Sequence, residues 1–383
     1  MKKRILSLLL SVFAIFGFIP VANSSDLGVS AQAAVLMCAE SGEIIYQRNP
    51  DEKLSMASTT KIMTSLIALE AGVPNMEITV TKEMVSVEGT SMGLMAGDSV
   101  SMKELVYGML LQSGNDAANT VATVLGGNAE NFAEMMNKRA EEIGMKNTNF
   151  VTASGLDDEE HYSTAYDMAL LACECLENPE FVSICSDKSE TLTYGNPPYA
   201  RTLTNHNKLL WSYPDAIGMK TGFTKKSGRC LVSAAKRNGV TLVAVTLNAP
   251  NDWSDHKVML DYGFGVCKSA LLTCDLTGVE VTVFGSDKLC IPVEISGDTV
   301  GYQSENMQCE VFIKPYLYAP VEKGRTVGRV VFTHNGKITA EIPVIAADSA
   351  EILPVGKSKE QTEKEENFFT KLFRKIKEYF VQR

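Results

Sequence analysis

Residues 49–71 read NPDEKLSMASTTKIMTSLIALEA, and this stretch decides how the rest of the chain is read. From Ser58 onward Ile62, Met63, Leu66, Ile67 and Leu69 recur at helical spacing, so the segment predicts an amphipathic helix from Ser58 to about Ala71. Ser58 opens that helix and Lys61 follows one turn later. Positions i and i+3 are neighbours on a helix, with Cβ atoms about 5–6 Å apart. A serine hydroxyl is a weak nucleophile and needs a base beside it, which Lys61 can supply. Helix N-termini also carry partial positive charge and free N–H groups suited to an oxyanion. The bland reading of Ser58 is an ordinary helix N-cap. The pattern Ser-x-x-Lys recurs at Ser233…Lys236 and Ser254…Lys257. Ser233 falls in an expected strand and Ser254 in a polar turn after Pro250, which leaves Ser58 as the candidate.

Working outward, Ala33–Met37 and Ile44–Gln47 read as strands around Glu40-Ser41-Gly42. Helical patterns cover 102–111, 117–125, 129–143 and 163–176. Segments 217–221, 230–235 and 242–247 read as strands, the last two joined by the hairpin signal Lys236-Arg237-Asn238-Gly239. Strands, a long helical insertion and strands again make an α+β domain. From Gly278 to Ile345 the texture changes to short alternating runs such as Val279-Val281-Val283 and Ile291-Val293-Ile295, which predicts a small all-β sandwich domain.

The 383 residues carry 36 Lys+Arg against 46 Asp+Glu, a net charge of −10. No broad basic face is available to displace counterions, so no nucleic-acid partner is expected. The average conceals opposed parts: residues 25–366 hold 28 basic and 45 acidic groups, whereas both ends are cationic and apolar. Lys2-Lys3-Arg4, the apolar run Ile5–Ile19 and the small residues to Ser24 read as a secretory signal. At the other end Phe368, Phe369, Leu372, Phe373, Ile376, Tyr379 and Phe380 fall on one helical arc, with Lys371, Arg374, Lys375, Lys377 and Glu378 opposite. That pattern is expected to lie in a membrane surface. Its alternative is a helix packed on its own domain. The expected organisation is a signal at 1–24, a catalytic domain at 25–266, an all-β domain at 267–350, a charged linker at 351–366 and an anchor helix at 367–383.

Nine cysteines show no Cys-x-x-Cys, and most are expected to be small buried hydrophobes, with a Cys290–Cys309 bridge disfavoured. The four histidines form no zinc-type pair, and neither a Gly-x-Ser-x-Gly elbow nor a phosphate loop is present. No metal or other cofactor is expected. Two further triplets join Ser58…Lys61: Ser113-Gly114-Asn115 in a connection between helices, and Lys220-Thr221-Gly222 ending a strand. Each alone is weak; the order helix, loop, strand is much more specific.

With these three triplets, and with the wording LLQSGNDAAN, ASGLDDEEHYSTAYDMA, TNHNKLLWSYPDAIGMKTGFT and LDYGF, residues 31–264 resemble the penicillin-binding D-alanyl-D-alanine carboxypeptidases of peptidase family S11. The resemblance implies a β-lactamase/transpeptidase-like domain, an antiparallel sheet plus a helical region. It implies Ser58 as nucleophile, Lys61 as its base, and Ser113 as relay between Lys61 or Lys220 and the leaving D-alanine amine. Asn115 would hold the substrate amide and orient Lys61. Lys220 would supply positive field, Thr221 a hydrogen bond to the terminal carboxylate, and Gly222 room for the substrate backbone. Backbone N–H groups of Ser58 and Phe223 would form the oxyanion hole. Implied partners are peptidoglycan stem peptides ending in D-Ala-D-Ala, and β-lactams as covalent inhibitors, at the outer face of a bacterial plasma membrane. Two alternatives stay open: a serine β-lactamase, although no Glu-x-x-Leu-Asn string occurs, and a catalytically idle penicillin sensor or wall-binding module.

Overall fold

Strands β1 (Ala33–Cys38) and β2 (Ile44–Arg48) form an antiparallel hairpin in the computed structural model, which describes residues 27–297, 299–303, 307–334 and 336–353. They join β3 (Ala216–Thr224), β4 (Gly228–Arg237) and β5 (Val240–Leu247) in a five-stranded sheet of order β2-β1-β5-β4-β3. Asn238 and Gly239, at φ 48° and 76°, make the tight β4–β5 turn read from the sequence. All six residues of β1 and all eight of β5 are buried. Continuous apolar strands of this kind belong to a sheet covered on both faces. The helix Asp252–Val266 lies on one face so closely that a Cβ on Gly263 would stand 2.6 Å from Leu242 and 2.7 Å from Leu36.

The helical region centres on α1 (Lys61–Glu70), whose residues Lys61 to Ala68 are all buried. Around it pack α2 (Met102–Leu110), α3 (Asn115–Gly126) and α4 (Ala165–Leu176). Capping sets where these helices begin. Ser101 and Glu104 form a reciprocal capping box at α2. Thr164 accepts from Asp167 N at α4, which is why that helix starts two residues after the expected Ser163.

The chain divides into two units, one holding residues 44–235 and 242–263 with β1 up to Met37, the other holding 264 onward together with 38–43 and 236–241. In the second unit β6 (Glu280–Phe284), β7 (Cys290–Ile295), β8 (Met307–Ile313), β9 (Tyr316–Tyr318), β10 (Thr326–His334) and β11 (Lys337–Ala346) form one sheet of order β8-β10-β11-β7-β6-β9. A two-stranded ribbon pairs Lys268–Leu272 with Thr299–Gln303. Leu272, Val281, Val283, Ile291, Val293, Val330 and Ile342 share the core. Val311, which alternation places on that core, is instead 40% exposed on the edge strand β8.

Four cysteines (38, 175, 185 and 230) are buried, four are half-buried and Cys309 is exposed, so fewer are core residues than composition suggests. Two strands separate Cys309 on β8 from Cys290 on β7, and the Cys309 thiol lies beside Cys274. The expected signal at 1–24 and anchor helix at 367–383 lie outside the described residues, as does the linker beyond Leu353.

Candidate active site

The nucleophile candidate sits on a 3-10 turn, Ala57–Thr60, that leads into α1; Lys61 is the first α-helical residue. Ser58 is therefore one turn earlier than a helix N-terminus, but the i, i+3 relation to Lys61 survives. The turn is tied to itself: Thr59 Oγ1 donates to Met56 O at 2.7 Å and Thr60 Oγ1 to Ala57 O at 2.8 Å. Ala57 has φ 49°, a left-handed conformation that costs a non-glycine residue about 1 kcal/mol or more.

Helicity does not separate all the Ser-x-x-Lys repeats. Ser254 and Lys257 lie on the helix Asp252–Val266, not in a turn, so helicity alone does not single out Ser58. Burial does. Ser254 is exposed and Lys257 half-exposed, whereas Lys61 is completely buried. Ser233 sits in β4 as expected and bonds His256 Nδ1 at 2.5 Å.

Lys61 Nζ reaches three oxygens: Ser58 Oγ at 3.0 Å, Asn115 Oδ1 at 2.7 Å and Ser154 O at 2.7 Å. Burial, and secondarily the charge of Lys220, holds its pKa well below the ordinary lysine range, against a smaller opposing pull from Asp116. A neutral amine has two N–H bonds and one lone pair. The amide and peptide oxygens can only accept, so they take the two protons. The lone pair is then left for Ser58 Oγ–H, the geometry of a base at its nucleophile.

Ser113 and Asn115 come from the connection between α2 and α3. Ser113 has φ 62°, is 7% exposed, and no hydrogen bond joins its Oγ to Lys61 or Lys220. Asn115 opens α3 with both ends of its amide engaged, Oδ1 accepting from Lys61 and Nδ2 donating to Glu88 O at 2.7 Å. Asp116 fastens the facing loop by accepting from Ser91 Oγ and the backbone N–H groups of Met92 and Leu94.

On the other side stands β3, an edge strand of the sheet, and an edge strand is where an extended peptide can add. A bulge between Ala216 and Gly218 shifts its register just before Lys220, and Asn207 Nδ2 holds Gly218 O at 2.8 Å. Lys220 is 1% exposed and donates to Thr221 O at 2.9 Å; burial brings its pKa down to about 7. Thr221 is half-exposed, and Phe223 is 66% exposed at the strand's end. Gly222 passes the Ala57–Thr60 turn so closely that a Cβ would stand 3.0 Å from Met56 O and 3.1 Å from Ser58 N. The Ser58 N–H thus lies against β3 and donates no hydrogen bond within the described residues.

Several residues of this site carry no sequence signal of their own. Ser154 acts through its carbonyl, which any residue possesses. Gly155, at φ +82°, would place a Cβ 1.9 Å from Ala57 O. His161 Nδ1 accepts from Val151 N and Thr152 N, so the ring proton is on Nε2, 2.8 Å from Thr60 Oγ1. Burial keeps this ring neutral, with its pKa lowered to about 4. His161 therefore donates to Thr60, which donates to the carbonyl of Ala57, the residue before Ser58. Ser154, Gly155 and His161 all lie within ASGLDDEEHYSTAYDMA, and Asn207 within TNHNKLL, which marks those stretches without assigning roles. Among the described residues no group of three or more His, Cys, Asp or Glu side chains is placed to hold a metal.

Comparison with known proteins finds relatives of both units. The peptidase S11 model, D-alanyl-D-alanine carboxypeptidase, fits residues 20–251, and that of the penicillin-binding protein 5 C-terminal domain fits residues 279–351. The chain is 32% identical to D-alanyl-D-alanine carboxypeptidase DacF of Bacillus subtilis, over 90% of this chain and 94% of that one. It is 34% identical to DacC of Escherichia coli, over 88% and 90%. Among solved structures, penicillin-binding protein 5 of Haemophilus influenzae superposes with a TM-score of 0.60 at 29% identity, covering 84% of this chain and 98% of that one. With two family models in the same order as its two units, and full-length relatives above 30% identity, the chain belongs to the S11 family of serine-type D-alanyl-D-alanine carboxypeptidases.

Proposed function

We propose that this enzyme removes the terminal D-alanine of peptidoglycan stem peptides through an ester at Ser58. The observation that carries this reading is Lys61 Nζ, fully buried and shared among Ser58 Oγ, Asn115 Oδ1 and Ser154 O. Ser58 Oγ attacks the carbonyl carbon of the penultimate D-alanine while its proton passes to Lys61. The developing oxyanion is received by the N–H groups of Ser58 and Phe223. The amide C–N bond then breaks, and the departing nitrogen takes a proton through Ser113. This relay requires the substrate nitrogen between Ser113 and the lysines. Water then hydrolyses the ester. Lys220 and Thr221 hold the terminal carboxylate, and the edge of β3 pairs with the peptide backbone. Penicillins enter as carboxylate-bearing acyl donors and leave slowly.

The protein from residue 25 onward is expected to gain one penicillin adduct at Ser58, read by mass spectrometry, and to release D-alanine from a peptide ending in D-Ala-D-Ala. Rapid β-lactam turnover without D-alanine release would make it a β-lactamase. An adduct with neither activity would make it a sensor.

The pH dependence follows from the two lysines. Lys61 must be neutral to act, so kcat/KM rises with pH through its lowered titration. Lys220 must be charged to attract the carboxylate, so kcat/KM falls again above about pH 7. Lys220→Arg keeps the charge and should remove the alkaline limb. If that limb persists in the variant, Lys220 is not the group that produces it.

We place the enzyme outside the cytoplasm, held to the outer surface of the plasma membrane by residues 367–383, on the sequence patterns of the two ends. No helix among the described residues is long and apolar enough to cross a membrane. Deleting 367–383 should move the protein from the membrane to the soluble fraction; unchanged partition would sink the assignment.

A further inference from the structure

The second unit carries an aromatic cluster that catalysis does not use. Phe284, Tyr316 and Tyr318 touch one another, with ring centroids 5.6, 6.0 and 5.7 Å apart. They are 41%, 48% and 67% exposed. β6 and β9 run parallel, Phe284 opposite Tyr318 and Thr282 opposite Tyr316, which sets the three rings on one surface. The register also fixes which end of the sheet they occupy. Thr326 pairs with Ile345, Val293 with Ala346 and Thr282 with Cys290, so the cluster lies at the Thr326–Ala346 end. The turn from His334 to Lys337 closes the opposite end.

The described chain also leaves from this place. Ile352 bridges Ser286, and Leu353 N donates to Gly285 O at 2.9 Å, one residue from Phe284. Ile352 and Leu353 are themselves 59% and 41% exposed. Thirty residues follow, ending in the aromatic and cationic pattern of 367–383. The thirteen residues between Leu353 and Asn367 span at most about 45 Å even fully extended. Once the tail lies on a lipid surface, the cluster is held close to that surface, and a second contact becomes an intramolecular event.

From this juxtaposition we infer that Phe284, Tyr316 and Tyr318, with Ile352 and Leu353, form a second lipid-contact surface that docks the β unit on the same leaflet as the tail. Tyrosine rings suit the headgroup region because the ring is apolar and the hydroxyl stays hydrated. Lys314, exposed two residues before Tyr316, can meet anionic headgroups. This inference is independent of the catalytic reading. It uses the tail only as a tether.

The test uses the chain from residue 25 with Tyr318→Trp, against the unsubstituted chain to subtract Trp211 and Trp253. Vesicles of phosphatidylglycerol and phosphatidylethanolamine are prepared with and without brominated lipid. The added emission should shift to the blue on vesicle binding and be quenched by the brominated chains. Phe284→Ser with Tyr316→Ser should weaken vesicle binding by about tenfold while leaving Ser58 acylation by penicillin intact. Co-sedimentation without quenching would show that the tail alone binds, and absence of co-sedimentation would show no lipid contact. A blue shift before vesicles are added would assign the patch to another occupant. If the shift depends on protein concentration that occupant is a second copy; if it vanishes on deletion of 367–383 it is the tail. Each of these outcomes overturns the inference.

Discussion

Lys61→Met is expected to lower both D-alanine release and penicillin acylation by about a thousandfold or more, the range for removal of a positioned general base. Methionine matches the length of the lysine stem and keeps α1 filled, but it offers no lone pair to Ser58 Oγ. The fold should survive. The substitution strands Asn115 Oδ1 and Ser154 O without their donor, at about 1–3 kcal/mol for each unsatisfied group. It also ends the cost of a buried amine whose pKa is driven down mainly by desolvation. These effects oppose one another, so the melting temperature should move by only a few degrees while acylation collapses. Activity within tenfold of the parent, in a protein of unchanged melting temperature, would show that another group takes the Ser58 proton.

Gly155→Ala is expected to damage the enzyme at a position that touches no substrate. The added methyl would stand 1.9 Å from Ala57 O, 2.5 Å from Ala57 C and 2.8 Å from Thr60 Oγ1. Backbone atoms cannot step aside as a flexible side chain can, and φ +82° is itself strained for alanine. Overpacking and strain together should cost about 3 kcal/mol or more. For a unit of this size that lowers the melting temperature by roughly 6–12 °C. Alternatively the nucleophile turn is pushed out of register and acylation falls with stability retained. Calorimetry and penicillin acylation distinguish these two routes. A variant with parental melting temperature and parental acylation would refute the packing argument. The atoms nearest the added methyl belong to Ala57 and Thr60 and not to Ser58, so Gly155 acts on the reaction by positioning.

The three triplets were legible because they combine a fixed residue type with a fixed spacing, and each needs its own side chain. The strand pattern was legible for a similar reason: β1 and β5 are continuous apolar runs, and Asn238-Gly239 has few conformations besides a tight turn. The Ser254…Lys257 repeat reads as a turn because Asp252 and Ser254 look like loop residues, while the helix they begin is stabilised by burial of Met259 and Leu260. Ser154 O, Glu88 O and the backbone of Ala57 were not legible at all. They are peptide groups, identical at every position, and matter only for where the chain brings them.

The linear order of residues determined the chemistry available: a hydroxyl and an amine one turn apart, a second hydroxyl and an amide in a tight connection, a second amine on a strand, and two cationic apolar ends. Tertiary structure decided what that chemistry becomes. It buried Lys61 and Lys220 completely, turned two surface-type cations into groups of lowered pKa, and aimed the remaining lone pair at Ser58. Desolvation is a property of surroundings and no spacing rule contains it. The same holds for Gly155 and Gly222, whose missing side chains are meaningful only because another part of the chain occupies the space a Cβ would need.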